Sequence, residues 1–225
     1  MAEITTAEAA GRLGITQTRV SQMLRTGDLA GRQLSARSWL VEMASVQDRK
    51  RLDIGGGRPW SAFRIISVLD VLSGKERADS RTASLIRATE TDKLWRRIEQ
   101  GVRVRRYTAR NLDLVRAHLV LTGESALDEL GEHLVGEPKV LHGYLRQGVQ
   151  LDDLADEAGM VEDANGDVAI HELSTAAGTS LTGGGSKAIR ALIAADSARS
   201  SATRIHSAGV RALDQMRSTW LAQNI

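Results

Sequence analysis

Between Thr5 and Gly27 one glycine interrupts the apolar pattern of the chain, and that interruption restricts the fold more than any other feature. Ala9, Ala10 and Leu13 recur at helical spacing before Gly14, and Val20, Met23 and Leu24 do so after it. Thr5 is placed to cap the first run, with Glu8 three residues on reaching back to complete a capping box. Gly14 supplies the positive φ that a sharp turn demands, Ile15 plugs the turn, and Thr16 caps the second run. The small Ala10 lets the second helix cross closely. After Thr26-Gly27-Asp28 closes that helix, Leu29 to Val41 alternates loosely, with Trp39, Leu40 and Val41 beyond a polar turn at Ser35 to Ser38, which predicts a two-stranded hairpin.

Two short helices, a tight turn and a basic hairpin make up the order of a winged helix-turn-helix. Ala44 to Gln47 predicts the start of a third short helix, and Asp48 to Arg51 with Gly55-Gly56-Gly57-Arg58-Pro59 reads as a linker, so the first domain is expected to be 1–54. Ser61 caps an apolar helix containing Phe63, Ile66, Val68, Leu69 and Leu72, stopped by Ser73-Gly74. Residues 55–118 are expected to form a linker and basic helical region, and 119–225 an α+β domain for partner binding or oligomerisation. In that last part the pattern predicts a helix over Ser125 to Leu134, a strand over Val140 to Leu145, and an acidic helix over Leu151 to Ala158. A hairpin turning at Asn165-Gly166 between Met160–Glu162 and Val168–Ile170, a glycine-rich loop over Ser174 to Ser186, and one or two helices from Lys187 to Trp220, interrupted near Asp196 to Ser201, complete it. The fold class expected is mainly α with an α+β C-terminal part.

With 225 residues, 42% of them hydrophobic, the chain can fill a sizeable core. It has no cysteine, which excludes disulfides and thiolate metal sites and suits a reducing cytoplasm. No targeting segment and no run near the ~18 apolar residues of a membrane span are found, so a cytoplasmic protein is expected. The net charge of +2 conceals a division at Arg116: 22 Lys+Arg against 13 Asp+Glu up to that residue give +9, and 8 against 15 after it give −7. Such a split is that of a nucleic-acid module joined to an acidic partner-binding or dimerising one.

In a helix-turn-helix the second helix enters the major groove. With Val20, Met23 and Leu24 turned inward, Gln17, Thr18, Ser21, Gln22 and Arg25 form the outward set, and Thr16 at the cap joins them among the expected DNA-binding residues. Glutamine amides pair with adenine, threonine methyls touch thymine, and arginine grips guanine or phosphate. Arg19 is expected to reach phosphate or flank the groove, and the wing arginines Arg32 and Arg37 to hold the backbone or probe the minor groove. The alternative is a helical hairpin used only for protein contact. Arg103, Arg105 and Arg106, in the tract running to Arg110, form either a solvated face or a DNA-backbone contact, and the acidic segment Asp152 to Glu157 is either a solvated helix or a dock for a basic partner.

Three patterns that carry enzymatic chemistry elsewhere have the wrong spacing here. Gly183-Gly184-Gly185-Ser186-Lys187-Ala188 lacks the glycine before and the hydroxyl after the lysine that a phosphate loop needs. Gly123-Glu124-Ser125-Ala126-Leu127 lacks the closing glycine of a nucleophile elbow, which leaves Ser125 as a helix cap. His118, His133, His142, His171 and His206 fall in no metal-ligand spacing, so no metal and no cofactor are expected and the histidines read as surface or hydrogen-bonded core groups.

On TTAEAAGRLGITQTRVSQMLRTGDLAG and the tryptophan-bearing RSWLV, Thr5 to Val46 resembles the helix-turn-helix domains of the excisionase and MerR class. Further on, GGRPWSAFRIISVLDVLSG, LVLTGESALDEL and ADSARSSATRIHSAGVRALDQM are similar to actinobacterial regulators of the AbiEi antitoxin type. That resemblance implies a repressor of its own promoter, accompanying a nucleotidyltransferase-like toxin. The expectation is therefore a non-enzymatic, sequence-specific repressor whose partners are operator DNA, a cognate toxin and, in a homodimer, a second copy. The alternatives are an excisionase-like or phage repressor protein, and an enzyme with a DNA-reading domain.

Overall fold

A computed structural model describes residues 2–35, 38–53, 59–132, 138–163, 165–173 and 189–224 of the chain. Helices and strands are mixed, and the chain divides into two compact units, 1–57 and 58–225.

In the first unit, α1 (Thr6–Leu13) is entered through the full capping box: the Glu8 amide donates to the Thr5 hydroxyl and the Glu8 carboxylate accepts from the Thr5 amide. Gly14 ends it at φ 65°, ψ 29°, a left-handed geometry that glycine adopts without steric cost. α2 (Gln17–Thr26) starts from Thr16, whose hydroxyl accepts the Arg19 amide, and ends on Gly27 in the same left-handed region. β2 (Gly31–Ser35) and β3 (Ser38–Glu42) form the expected hairpin, while β1 (Glu3–Thr5) adds a third antiparallel strand on the far side of β3. Glycine is required at position 31, where a Cβ would lie 2.3 Å from the Leu40 carbonyl and 2.8 Å from the Leu24 side chain. Asp48 to Arg51, expected as linker, instead complete α3 (Met43–Arg51). The helix continues because Val46 packs into the same core as Val20, Met23, Leu24 and Val41. Each such aliphatic burial stabilises the unit by about 1.5–3 kcal/mol relative to exposure.

The second unit opens with α4 (Ala62–Leu72), capped by Ser61 as expected, then α5 (Ser80–Ala88) and α6 (Thr91–Glu99). Phe63 stands 79% exposed on α4, whose buried face is made by Ile65, Val68, Leu69 and Leu72. β4 (Val102–Thr108), α7 (Leu112–His118) and β5 (Leu119–Leu121) follow; a kinked 3-10 segment, Gly123–Leu130, stands where a longer helix was expected and ends at Gly131, φ 80°. β6 (Leu141–Leu145), α8 (Leu151–Ala158), β7 (Val161–Glu162), β8 (Val168–Leu173), α9 (Arg190–Arg199) and α10 (Thr203–Gln223) complete the unit. The sheet order is β5-β6-β8-β4-β7, antiparallel except for the parallel β6–β8 pair.

Three expectations change here. β7 and β8 are not hairpin partners: both pair with β4, which lies between them, and Gly166 passes so close over that strand that a Cβ would meet the Tyr107 carbonyl at 2.1 Å. Val102 to Thr108 form a strand within the stretch expected as a basic helical region, and because β4 shares one sheet with β5 to β8, a boundary near residue 118 falls inside the second unit. Asp196 and Ser197 do not interrupt the last helices; they sit buried in α9, and the break comes between Ser200 and Ala202. The glycine-rich loop and its Lys187 lie outside the described residues.

Candidate nucleic-acid interface

α2 is a two-faced helix. Val20, Met23 and Leu24 are buried, Gln17, Thr18, Arg19, Gln22 and Arg25 are exposed, and Ser21 is half-buried at the edge. Positions 17, 18, 21, 22 and 25 lie on one stripe of a 3.6-residue helix. Ten residues give α2 a length of about 15 Å, and with side chains it matches the roughly 12 Å width of a DNA major groove. It contains no acidic residue and carries the two cations Arg19 and Arg25.

The side chains on this face are partly ordered. Arg19 Nη1 donates to Gln22 Oε1 at 2.8 Å, so Arg19, expected at phosphate, is tied to the residue expected to read a base. Gln22 keeps both amide protons and a second oxygen lone pair for another partner. Thr16 acts through the backbone, since its hydroxyl is the cap of α2. Arg25 lies in the last turn, beside Thr26, whose hydroxyl donates to Asp28 Oδ2 at 2.7 Å.

On the hairpin, Arg32 donates twice to the Glu3 carboxylate, at 2.9 and 3.0 Å, across β3 from β2 to β1. That hydrogen bond holds the Glu3 carboxyl below its ordinary range and raises the Arg32 guanidinium. Arg32 therefore meets solvent already neutralised. Arg37 lies outside the described residues.

The arginines of β4 are also engaged within the protein. Arg105 is paired with Glu172 of β8 and Arg106 donates to the Gly166 carbonyl at 2.6 Å, while Arg103 is half-buried beside its register partner Glu172. A phosphate at Arg105 or Arg106 would compete with those partners. The charge division does not follow the units: the first carries 8 Lys+Arg and 6 Asp+Glu, +2, and the second 22 of each. The +9/−7 split thus runs through one sheet rather than between the two units.

A second concentration of ionisable groups lies inside the second unit, unforeseen by sequence spacing. Glu99 of α6, Asp196 of α9, His171 of β8 and Tyr144 of β6 are buried together. Arg199 of α9 donates to Glu99 at 3.2 Å, and ring nitrogens of His142 and His171 lie 3.0 Å apart. Burial lowers both histidines, to about 3 for His142 and about 4 for His171. His118 pairs with the Leu114 carbonyl and His206 with that of Ala198; His133 lies outside the described residues. Ser125 is not a helix cap: its hydroxyl donates to the Val140 carbonyl and accepts the His142 amide, joining the 3-10 segment to β6.

Among the described residues no group of three or more His, Cys, Asp or Glu is arranged to hold a metal ion, and no helix is long and apolar enough to cross a membrane. No protein-family model, curated protein or solved structure matches the chain.

Proposed function

We propose that the chain is a sequence-specific DNA-binding repressor whose first unit is a winged helix-turn-helix with α2 as its recognition helix. The observation that carries this reading is the outward stripe of α2: amide, hydroxyl and guanidinium groups without a carboxylate, on a helix fixed at both ends by a hydroxyl cap and a left-handed glycine. Such a face offers donors to the acceptor-rich edges of guanine and adenine and does not repel phosphate. Gln17, Thr18, Gln22 and Arg25 meet base edges, Ser21 stands at the margin, and Thr16 positions the helix. Arg19 orients Gln22, and Arg32 reaches the DNA backbone only by exchanging its Glu3 partner for a phosphate.

Repression follows from occupying an operator that overlaps a promoter. A homodimer would read half-sites about 34 Å apart. The second unit is the partner-binding body, and its assignment to a nucleotidyltransferase-like toxin rests on the resemblance to antitoxins of that type. Footprinting the full chain on DNA upstream of its own gene tests the proposal: protection of a repeated sequence is expected, and uniform cleavage at saturating protein would contradict it.

A further inference from the structure

A cavity of about 770 Å³ lies wholly within the second unit, lined by the end of α4, the loop from α4 to α5, Leu130 of the 3-10 segment, the first residue of α9 and the last turns of α10. Sites for small molecules have volumes of about 300–1,000 Å³ and combine an apolar lining with a few convergent polar groups. Here Leu72 of α4 and Met216 and Trp220 of α10 make an apolar wall. The charged residues of the lining are Glu76, Arg77 and Arg190, one anion against two cations.

The walls are tied to one another by hydrogen bonds of the protein itself. Ser73 Oγ, at the end of α4, accepts the Ala191 amide of α9 at 3.1 Å. Arg217 of α10 donates to the Ile86 carbonyl of α5 at 3.0 Å, and Arg87 of α5 donates to the Asn224 carbonyl just after α10 at 2.7 Å. The Arg87 guanidinium also lies 5.4 Å from the centre of the Trp220 ring, which braces the indole by a cation–π contact. A cavity formed in advance in this way costs a ligand little ordering entropy.

The cations of the lining are unengaged. Arg96, Arg105, Arg199 and Arg211 each have a carboxylate partner in this unit. Among the described residues the Arg77 and Arg190 side chains have neither a hydrogen bond nor an ion pair, and both are exposed. Arg190 also begins the ten-residue α9, so the positive end of that helix's dipole lies at the same cavity.

We propose that this cavity binds a small molecule with a planar apolar body and one anionic group, the body against Leu72, Met216 and Trp220 and the anion at Arg77 and Arg190. A flat ring matches the indole wall. A carboxylate and a phosphate monoester share the anionic chemistry, since each presents paired oxygens to a guanidinium. The net charge of the lining, +1, selects against a neutral or cationic occupant. Ligand binding by the second unit is independent of what the first unit reads.

The test titrates the full chain, labelled with nitrogen-15, with 2-naphthoate, 2-naphthyl phosphate and the neutral 2-naphthamide. Saturable shifts of the Trp220 indole and Arg190 amide resonances are expected with either anion, at one site per chain, and the tighter of the two identifies the anionic group. Loss of charge-assisted hydrogen bonds should weaken binding about tenfold, both for 2-naphthamide on the wild type and for the anions on the Arg77→Gln/Arg190→Gln double variant. Should the double variant fail to fold, the comparison of anion with amide on the wild type decides. Absence of saturable shifts up to the solubility limit of both anions, or equal binding of 2-naphthamide, would overturn the proposal. Shifts at Trp220 and Arg190 that follow the chain's own concentration instead of the probe's would overturn it too, by assigning the cavity to a second copy.

Discussion

Thr16, Arg19 and Gln22 occupy neighbouring turns of α2 but do different work. Thr16 spends its hydroxyl on the Arg19 amide, so it sets where the helix begins. Thr16→Ala should destabilise the first unit by about 1 kcal/mol in urea unfolding, and Thr16→Ser should restore most of the loss. Gln22 is steadied by Arg19 and keeps its amide protons outward. In direct binding titrations Gln22→Ala is expected to cost ~1–3 kcal/mol at one base pair of the operator and little on scrambled DNA. Equal losses on both would remove Gln22 from base readout. The inward and outward residues of α2 were legible in the sequence because a single 3.6-residue period fixes both. The Arg32–Glu3 pair was not, since its two residues stand 29 apart in sequence and meet only because β1 lies beside β3.

At the scale of elements, local signals proved dependable where one residue type has one conformational reason to be present. Thr5, Thr16 and Ser61 cap helices, Gly14 and Gly27 end them in left-handed geometry, and β2 and β3 pair antiparallel on either side of the polar Ser35 to Ser38 stretch. Pairings set by distant partners were not legible. The Asn165-Gly166 turn signal is real as a turn, but β4 takes the place between β7 and β8 and the two strands pair with it instead. The crossing of α9 and α10 belongs here too. A Cβ at Gly209 would lie 2.4 Å from the Ala198 amide nitrogen and 2.5 Å from the Ala194 carbonyl, so the helices touch through backbone. Gly209→Ala should force them apart and destabilise the second unit by about 1–3 kcal/mol, leaving the first unit's transition in place. An unchanged second-unit transition in thermal or urea unfolding would show that the contact relaxes freely.

For the whole molecule, the chain divides into units 1–57 and 58–225. The glycine run at residues 55–57 marks where the first unit ends, whereas residues 58–225 form one body because β4 and β8 share a sheet. The charge division suggested two modules of opposite sign, and Arg105–Glu172 shows its halves meeting across that sheet. The Glu99–Asp196 cluster draws residues from positions 99 to 199, a separation that no spacing rule spans. The central claim, that α2 of the first unit reads DNA sequence, is tested most directly by selecting duplexes from a random pool with the full chain and with Gln22→Ala. The account predicts one enriched motif for the wild type and loss of preference at a single position for the variant. Recovery of unselected sequence by the wild type, or of the same motif with unchanged preference by the variant, would contradict it.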